Sequence, residues 1–243
     1  ISWGVCEVPG WGYQLRPDRV LHEMHEVGLT ATELGPDGFL PSDPAAMANV
    51  LSRYGLRAVG GFTPLLLHVP GKDPVPEVNR ILDSYAATAA KFLVLSAATG
   101  ADGYDTRPQL DHDGWQTLLS NLDRLTAVAA ERGVLAVLHP HVGTMIENGQ
   151  EVQEVLVGSS IALCLDTGHL LIGGSDPADL AQQAPERIAH LHLKDVDSTI
   201  AAMVRSGELT YYEAVKQGMY RPLGTGDVDV TAHLDVRLGC DHG

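Results

Sequence analysis

The sequence predicts an α/β protein built as a (β/α)8-type barrel that lacks its eighth strand. Three observations carry this. Predicted strands start at residues 1, 29, 56, 92, 134, 161 and 188, and a spacing of about 27 residues recurs four times. Helix-period segments fill the intervals, which implies βαβ units and a parallel sheet. Polar residues then fall at the C-terminal ends of the second, fifth, sixth and seventh strands. An open doubly wound sheet binds its ligand at one switch point, often with a glycine-rich first loop, whereas a closed ring gathers every strand end on one face. The distribution favours the ring. No Pro/Gly/Ser-rich linker divides the chain, so residues 1–243 read as a single domain.

The elements follow in order. Ile1 to Cys6 reads as a strand, broken by the loop from Glu7 to Gly12. Pro17 sits early in the first turn of a helix whose stripe is Val20, Leu21, Met24 and Val27, with Gly28 as its cap. Leu29 to Leu34 is the second strand. Ser42-Asp43-Pro44 opens a helix with apolar face Met47, Val50 and Leu51, ended by Gly55. Strands over 56–62 and 92–97 flank a helix over 75–90. A polar loop over 100–108 precedes a long helix over 111–132. Strands over 134–139, 161–166 and 188–193 follow. After Asp195 the chain reads as irregular. Helix-like spacing over 203–218 is split by Ser206-Gly207-Glu208, and Gly224-Thr225-Gly226 reads as a turn. A short helix from about Val230 should lead to an eighth strand, and none is legible.

Composition narrows the function classes. Sixteen Lys and Arg against 31 Asp and Glu give a net charge of −15. Phosphate binding needs clustered basic side chains, so nucleic acid and anionic membranes are not expected as partners. Cys6, Cys164 and Cys240 have no framework spacing and read as buried thiols of a reducing, cytoplasmic protein. No basic segment leads into an apolar stretch at the start, and no apolar run approaches the length of a membrane span. The charge says little about a small neutral substrate, and a homo-oligomer is a further expectation.

The chemistry concentrates in three strand ends: Leu138-His139-Pro140-His141, Leu165-Asp166-Thr167-Gly168-His169 and His190-Leu191-His192-Leu193-Lys194-Asp195. His139 precedes Asp166 by 27 residues and Asp166 precedes His192 by 26, so the same polar event recurs once per βα unit. Any single histidine reads as a core residue. At this spacing, Asp166, His192 and at least one of His139 and His141 form a divalent-metal site in outline. His139 and His141 alternate and share a strand face, with Pro140 between them. His190 lies deeper in its strand and reads as supporting or core. His169 is placed to bind substrate or orient a ligand. Lys194 reads either as a proton donor or as one half of a surface ion pair. Glu33 and Glu147 are spare carboxylates near strand ends, suited to a general base or to holding a substrate hydroxyl. Trp3, Trp11 and Phe62 could wall a sugar-sized pocket, while Trp115 reads as packing.

Asp166-Thr167-Gly168-His169, His190 to Asp195 and Pro222-Leu223-Gly224-Thr225-Gly226-Asp227-Val228-Asp229 together resemble the xylose-isomerase-like sugar isomerase/epimerase superfamily. Within it, Glu33 to Pro41 and His139-Pro140-His141-Val142-Gly143-Thr144 are similar to the inosose (2-keto-myo-inositol) dehydratase branch. The resemblance reaches to about residue 235. It implies a TIM barrel with one divalent metal, Mn or Co foremost and Zn, Fe or Mg as alternatives. Asp166 and His192 match ligand positions. His139 stands where the superfamily usually has a Glu, with His141 two residues on, and either could bind. The superfamily's fourth ligand, a Glu on the eighth strand, has no counterpart here. The implied substrate is a small polyol or sugar, and the implied activity is metal-dependent dehydration of a ketocyclitol, as in inositol catabolism. The expected base is His139, His141 or Glu147, and the expected acid is Lys194 or His169. The other readings are a ketose or sugar-phosphate isomerase or epimerase on the same metal, and an inactive sugar-binding barrel.

Overall fold

The computed structural model describes residues 13–229. Elements in chain order are α1 (Pro17–Glu26), β1 (Ala31–Thr32), α2 (Pro44–Arg53), β2 (Arg57–Ala58), β3 (Gly60–Leu65), α3 (Val75–Thr88), β4 (Phe92–Ala97), α4 (His112–Glu131) and β5 (Leu135–Leu138). They continue with α5 (Gly149–Gly158), β6 (Ala162–Asp166), α6 (Thr167–Ile172), α7 (Pro177–Gln183), β7 (Ile188–His192), β8 (Asp195–Val196), α8 (Ser198–Arg205), α9 (Tyr211–Lys216) and β9 (Tyr220–Arg221). The largest sheet has the order β3-β4-β5-β6-β7. Strands β5, β6 and β7 pair in parallel, as βαβ connections require. The expected first strand, the helix from about Val230 and the question of an eighth strand lie outside the described residues.

The chain divides into two compact units. The first comprises residues 1–63, 73–94 and 124–136. Here α1 buries Val20, Leu21 and Met24 as its stripe predicts. Val27, expected in that stripe, is 74% exposed because the helix ends before it. Asp43 caps α2 through its side chain, accepting from the Ala46 N–H at 2.8 Å. Of the expected α2 face only Leu51 is fully buried. The strand expected over 29–34 shortens to β1, which pairs in parallel with β2. The run expected as one strand over 56–62 is interrupted at Val59, whose carbonyl accepts the N–H groups of Lys91 and Phe92.

The second unit comprises residues 64–72, 95–123 and 137–243. Its core is the leucine-rich inner part of β4, β5 and β6: Leu95, Val137, Leu138, Leu163 and Leu165 are buried. A register shift between Leu163 and Cys164 brings Cys164 opposite His190 and Asp166 opposite His192. Helix α5 starts with a capping box, Asn148 and Glu151 each accepting the other's backbone N–H.

The segment read as irregular after Asp195 is ordered by one side chain. Asp195 is 1% exposed and opens the antiparallel β8–β9 pair. Its carboxylate accepts N–H groups from Gly224 (2.9 Å), Gly226 (2.8 Å), Val228 (3.0 Å) and Val196 (3.0 Å). The glycine turn is thus an anion cradle already filled from within the chain. Burial pushes the Asp195 carboxyl up, the four N–H donors pull it down, and the donors prevail. Replacing Asp195 with Ala strands several of these donors. We expect Asp195→Ala to lose about 2–4 kcal/mol of stability in urea unfolding. A loss below about 0.5 kcal/mol would show that water replaces the carboxylate at no cost.

Candidate active site

Strand register builds the site, all of it within the second unit. The Asp166 carboxylate, at the end of β6, is 0% exposed. Its Oδ2 accepts from His139 Nε2 at 3.0 Å and from Lys194 Nζ at 2.6 Å, and His192 Nδ1 lies 3.6 Å away. Its Oδ1 accepts the His169 N–H at 2.9 Å and so caps α6. Lys194 therefore sits in an interior ion pair with 22% of its side chain exposed, not in a surface one. Gly168 makes room for it, since a Cβ there would lie 2.6 Å from the Lys194 Cβ. Thr167 Oγ1 fixes the lysine backbone, donating to the Lys194 carbonyl and accepting its N–H.

Four imidazoles cluster around this carboxylate. The His139 ring centroid lies 4.9 Å from that of His192, 5.4 Å from His141 and 5.5 Å from His169. His141 and His169 face each other at 3.6 Å. Burial, more than any partner, holds His139, His141 and His169 neutral. It lowers His139 to about 4 against the opposing pull of Asp166, lowers His141 to about 3, and sends His169 well below the usual range. Burial raises the Asp166 carboxyl, but Lys194, His169 and His139 outweigh it and keep the group ionised. Neutral imidazole and ionised carboxylate are the forms that bind metal. On donor chemistry, Asp166, His139 and His192 fit a divalent cation.

Hydrogen bonds fix complementary tautomers in the facing pair. His141 Nδ1 lies 2.7 Å from the Val142 carbonyl and must donate to it, which leaves Nε2 as a lone pair. His169 Nδ1 accepts the Val142 N–H at 3.4 Å, which puts the proton on Nε2. One ring offers an acceptor and its neighbour a donor.

The other expected residues are placed as follows. Glu147 Oε2 accepts the Gly143 N–H at 2.6 Å and lies 3.3 Å from Arg107 Nε. Burial pushes its carboxyl up against both of those contacts. Arg107 also holds Glu151 and the Thr144 carbonyl, each at 2.9 Å, so this group braces the turn after His141. His190 packs beside His192 at 5.2 Å. Glu33 belongs to the first unit, buried directly after β1. Trp3 and Trp11 lie outside the described residues. Sequence reasoning passed over an aromatic wall. Tyr104 stacks 4.9 Å from Tyr211 and 6.0 Å from His141, and the Tyr211 and Tyr220 hydroxyls meet at 2.6 Å. Burial raises both of those phenols. Gly143 lets Tyr104 approach, with a φ of +76° and a would-be Cβ 2.7 Å from the Tyr104 Cα.

This fold and site define a class. Residues 21–236 match the family described as xylose isomerase-like TIM barrel, and the chain belongs to that family. Among its curated relatives, an inosose dehydratase of Geobacillus kaustophilus (strain HTA426) is 30% identical over 244 residues, covering 94% of this chain and 78% of that protein. Two solved structures share the fold at 17% identity. One is the probable 3-DHS dehydratase AsbF of Bacillus anthracis, with a TM-score of 0.71 over 96% of this chain and 87% of that one. The other is the IolI protein with a bound zinc atom, with a TM-score of 0.68 over 91% and 78%.

The lowered histidines set a pH window. An exposed ring titrates near 6.5. Between about pH 6.5 and about pH 4 the unfolded chain takes up protons that the folded chain refuses, so stability rises with pH in that window and falls as pH is lowered. Asp166, whose carboxyl is held well below the ordinary carboxylate range, acts in the same direction but only below about pH 4. For the metal-free chain, we expect urea midpoints to drop between about pH 6.5 and about pH 4. A midpoint that stays constant across the window would contradict the buried, neutral state of these rings.

Proposed function

We propose that this chain dehydrates a ketocyclitol of the 2-keto-myo-inositol type. The chain is inosose-dehydratase-like, and its relatives of that name, carbon–oxygen lyases, are 25–30% identical over most of its length. The observation that supports the reaction best is the facing His141–His169 pair, one lone pair and one proton side by side, next to the Asp166 cluster.

In this reading Asp166, His139 and His192 hold one divalent cation, manganese or cobalt foremost, with the zinc of the IolI structure as the alternative. A cation held there supplies Lewis-acid polarisation of the ketone and its neighbouring hydroxyl. His141 Nε2 takes the proton from the carbon beside the ketone. His169 Nε2–H gives its proton to the departing hydroxyl, which leaves as water. The C–H and C–O bonds break, a C=C bond forms, and the resulting enol relaxes to a diketone. Lys194 keeps Asp166 ionised and presents a second donor at the strand end. Glu147, engaged by Gly143 and Arg107, positions the turn that carries His141 and does not act as the base. The Tyr104, Tyr211 and Tyr220 wall shields the imidazoles from water, which strengthens each electrostatic interaction inside. The cysteine usage supports a cytoplasmic setting.

The test is product analysis with 2-keto-myo-inositol and metal-loaded protein. We expect a product lighter by one water, whereas an epimerase would conserve mass. His141→Ala and His169→Gln should each lower kcat by about 10²–10⁴-fold, the usual worth of a general base or acid, with unchanged circular dichroism. No turnover by loaded parent protein would sink the lyase reading. Full activity in His141→Ala would return the base role to another residue.

A further inference from the structure

We propose that Cys164 is a metal ligand, its Sγ joining one ring nitrogen each of His139 and His192 in an N2S donor set for a zinc-class divalent ion. This deepens the proposed metal reading and rests on it for the two histidines. Nothing in the Asp–His arrangement by itself calls for a thiol.

The placement is specific. One donor atom from each of His139, Cys164 and His192 lies within 4.8 Å of the others, and all three residues are buried. Cys164 forms no disulfide. It stands two residues before Asp166 on β6, so the two side chains share a strand face. After the register shift just before Cys164, Cys164 pairs with His190 and Asp166 with His192 on β7. Strand β5 pairs with β6 from the other side and delivers His139 just past its end.

Bond lengths of about 2.0–2.3 Å to zinc put the donors of a tetrahedral site about 3.5 Å apart. A closure of about 1 Å, within reach of side-chain rotation, brings this set to that spacing. Binding replaces the thiol proton by the metal and releases that proton to solvent. A thiolate ligand shifts preference away from magnesium and manganese toward zinc and cobalt. The deeper thiol would therefore set which metal this chain retains.

Cobalt(II) added to the metal-free full chain tests this directly, because thiolate ligation gives a near-ultraviolet charge-transfer band that nitrogen and oxygen ligands do not. The measurement is made in a Cys6→Ser/Cys240→Ser background, where Cys164 is the sole thiol. We expect the charge-transfer band there, and its loss in Cys164→Ser while the visible ligand-field bands remain. Zinc affinity should fall by more than about tenfold in Cys164→Ser, since even groups that only support a ligand are worth about 10–100-fold. Visible bands without a charge-transfer band in the parent would overturn the role of Cys164 and leave the Asp–His metal centre standing. A charge-transfer band that survives Cys164→Ser would also overturn it. Failure to take up cobalt at all would overturn both readings. Should Cys164→Ser not fold, the spectrum of the single-thiol parent decides alone.

Discussion

The Asp166 carboxylate is ionised and has no contact with solvent. Taking such a charge out of water costs several kcal/mol, and the cost is offset only when every lone pair is met by a good donor. Here Lys194, His139 and the His169 N–H meet it at 2.6–3.0 Å, with His192 close by. Each donor depends on a separate structural feature. The β6–β7 register supplies His192, the end of β5 supplies His139, and the first turn of α6 supplies the N–H. Lys194 needs a glycine at 168. Removing the carboxylate would leave a lysine and several rings without their common anchor, so the local fold and the chemistry share one dependency.

That anchor sits in a low-dielectric pocket, and the pocket determines the protonation of everything near it. Imidazoles that would titrate near neutrality in water are forced neutral. Neutrality gives hydrogen bonding control over which nitrogen carries the proton. The carbonyl and N–H of a single residue, Val142, set His141 and His169 in opposite tautomers. A proton acceptor and a proton donor thereby stand side by side on adjacent rings. The preorganisation costs stability at low pH, where the unfolded chain binds the protons these rings reject.

Much of this was legible in the sequence wherever an element is long and periodic or a residue ends a strand. Strand β4 spans the predicted residues 92–97, α4 falls inside 111–132, and β6 and β7 match to within a residue. The equal spacing of His139, Asp166 and His192 was enough to anticipate their convergence. Two-residue strands leave no period to read, so β8 and β9 were hidden in a segment that looked irregular. Asp195 as the occupant of the Gly224–Gly226 cradle was equally hidden, because the partners are about thirty residues apart and joined only by backbone N–H groups. Tyr104, Tyr211 and Tyr220 carry no motif, and only tertiary packing assembles them. Two signals were available and unused. Asn148-x-x-Glu151 and Thr210-x-x-Glu213 have the spacing of the capping boxes they form.

The central claim is that Asp166, with His139 and His192, anchors one divalent cation. Elemental analysis of protein purified without added metal, alongside Asp166→Ala and His192→Ala, tests it most directly. The account predicts about one divalent transition-metal ion per chain in the parent, the single-ion stoichiometry of such a donor set, and its loss in both variants. A parent that stays metal-free after reconstitution, or variants that keep the full complement, would contradict it.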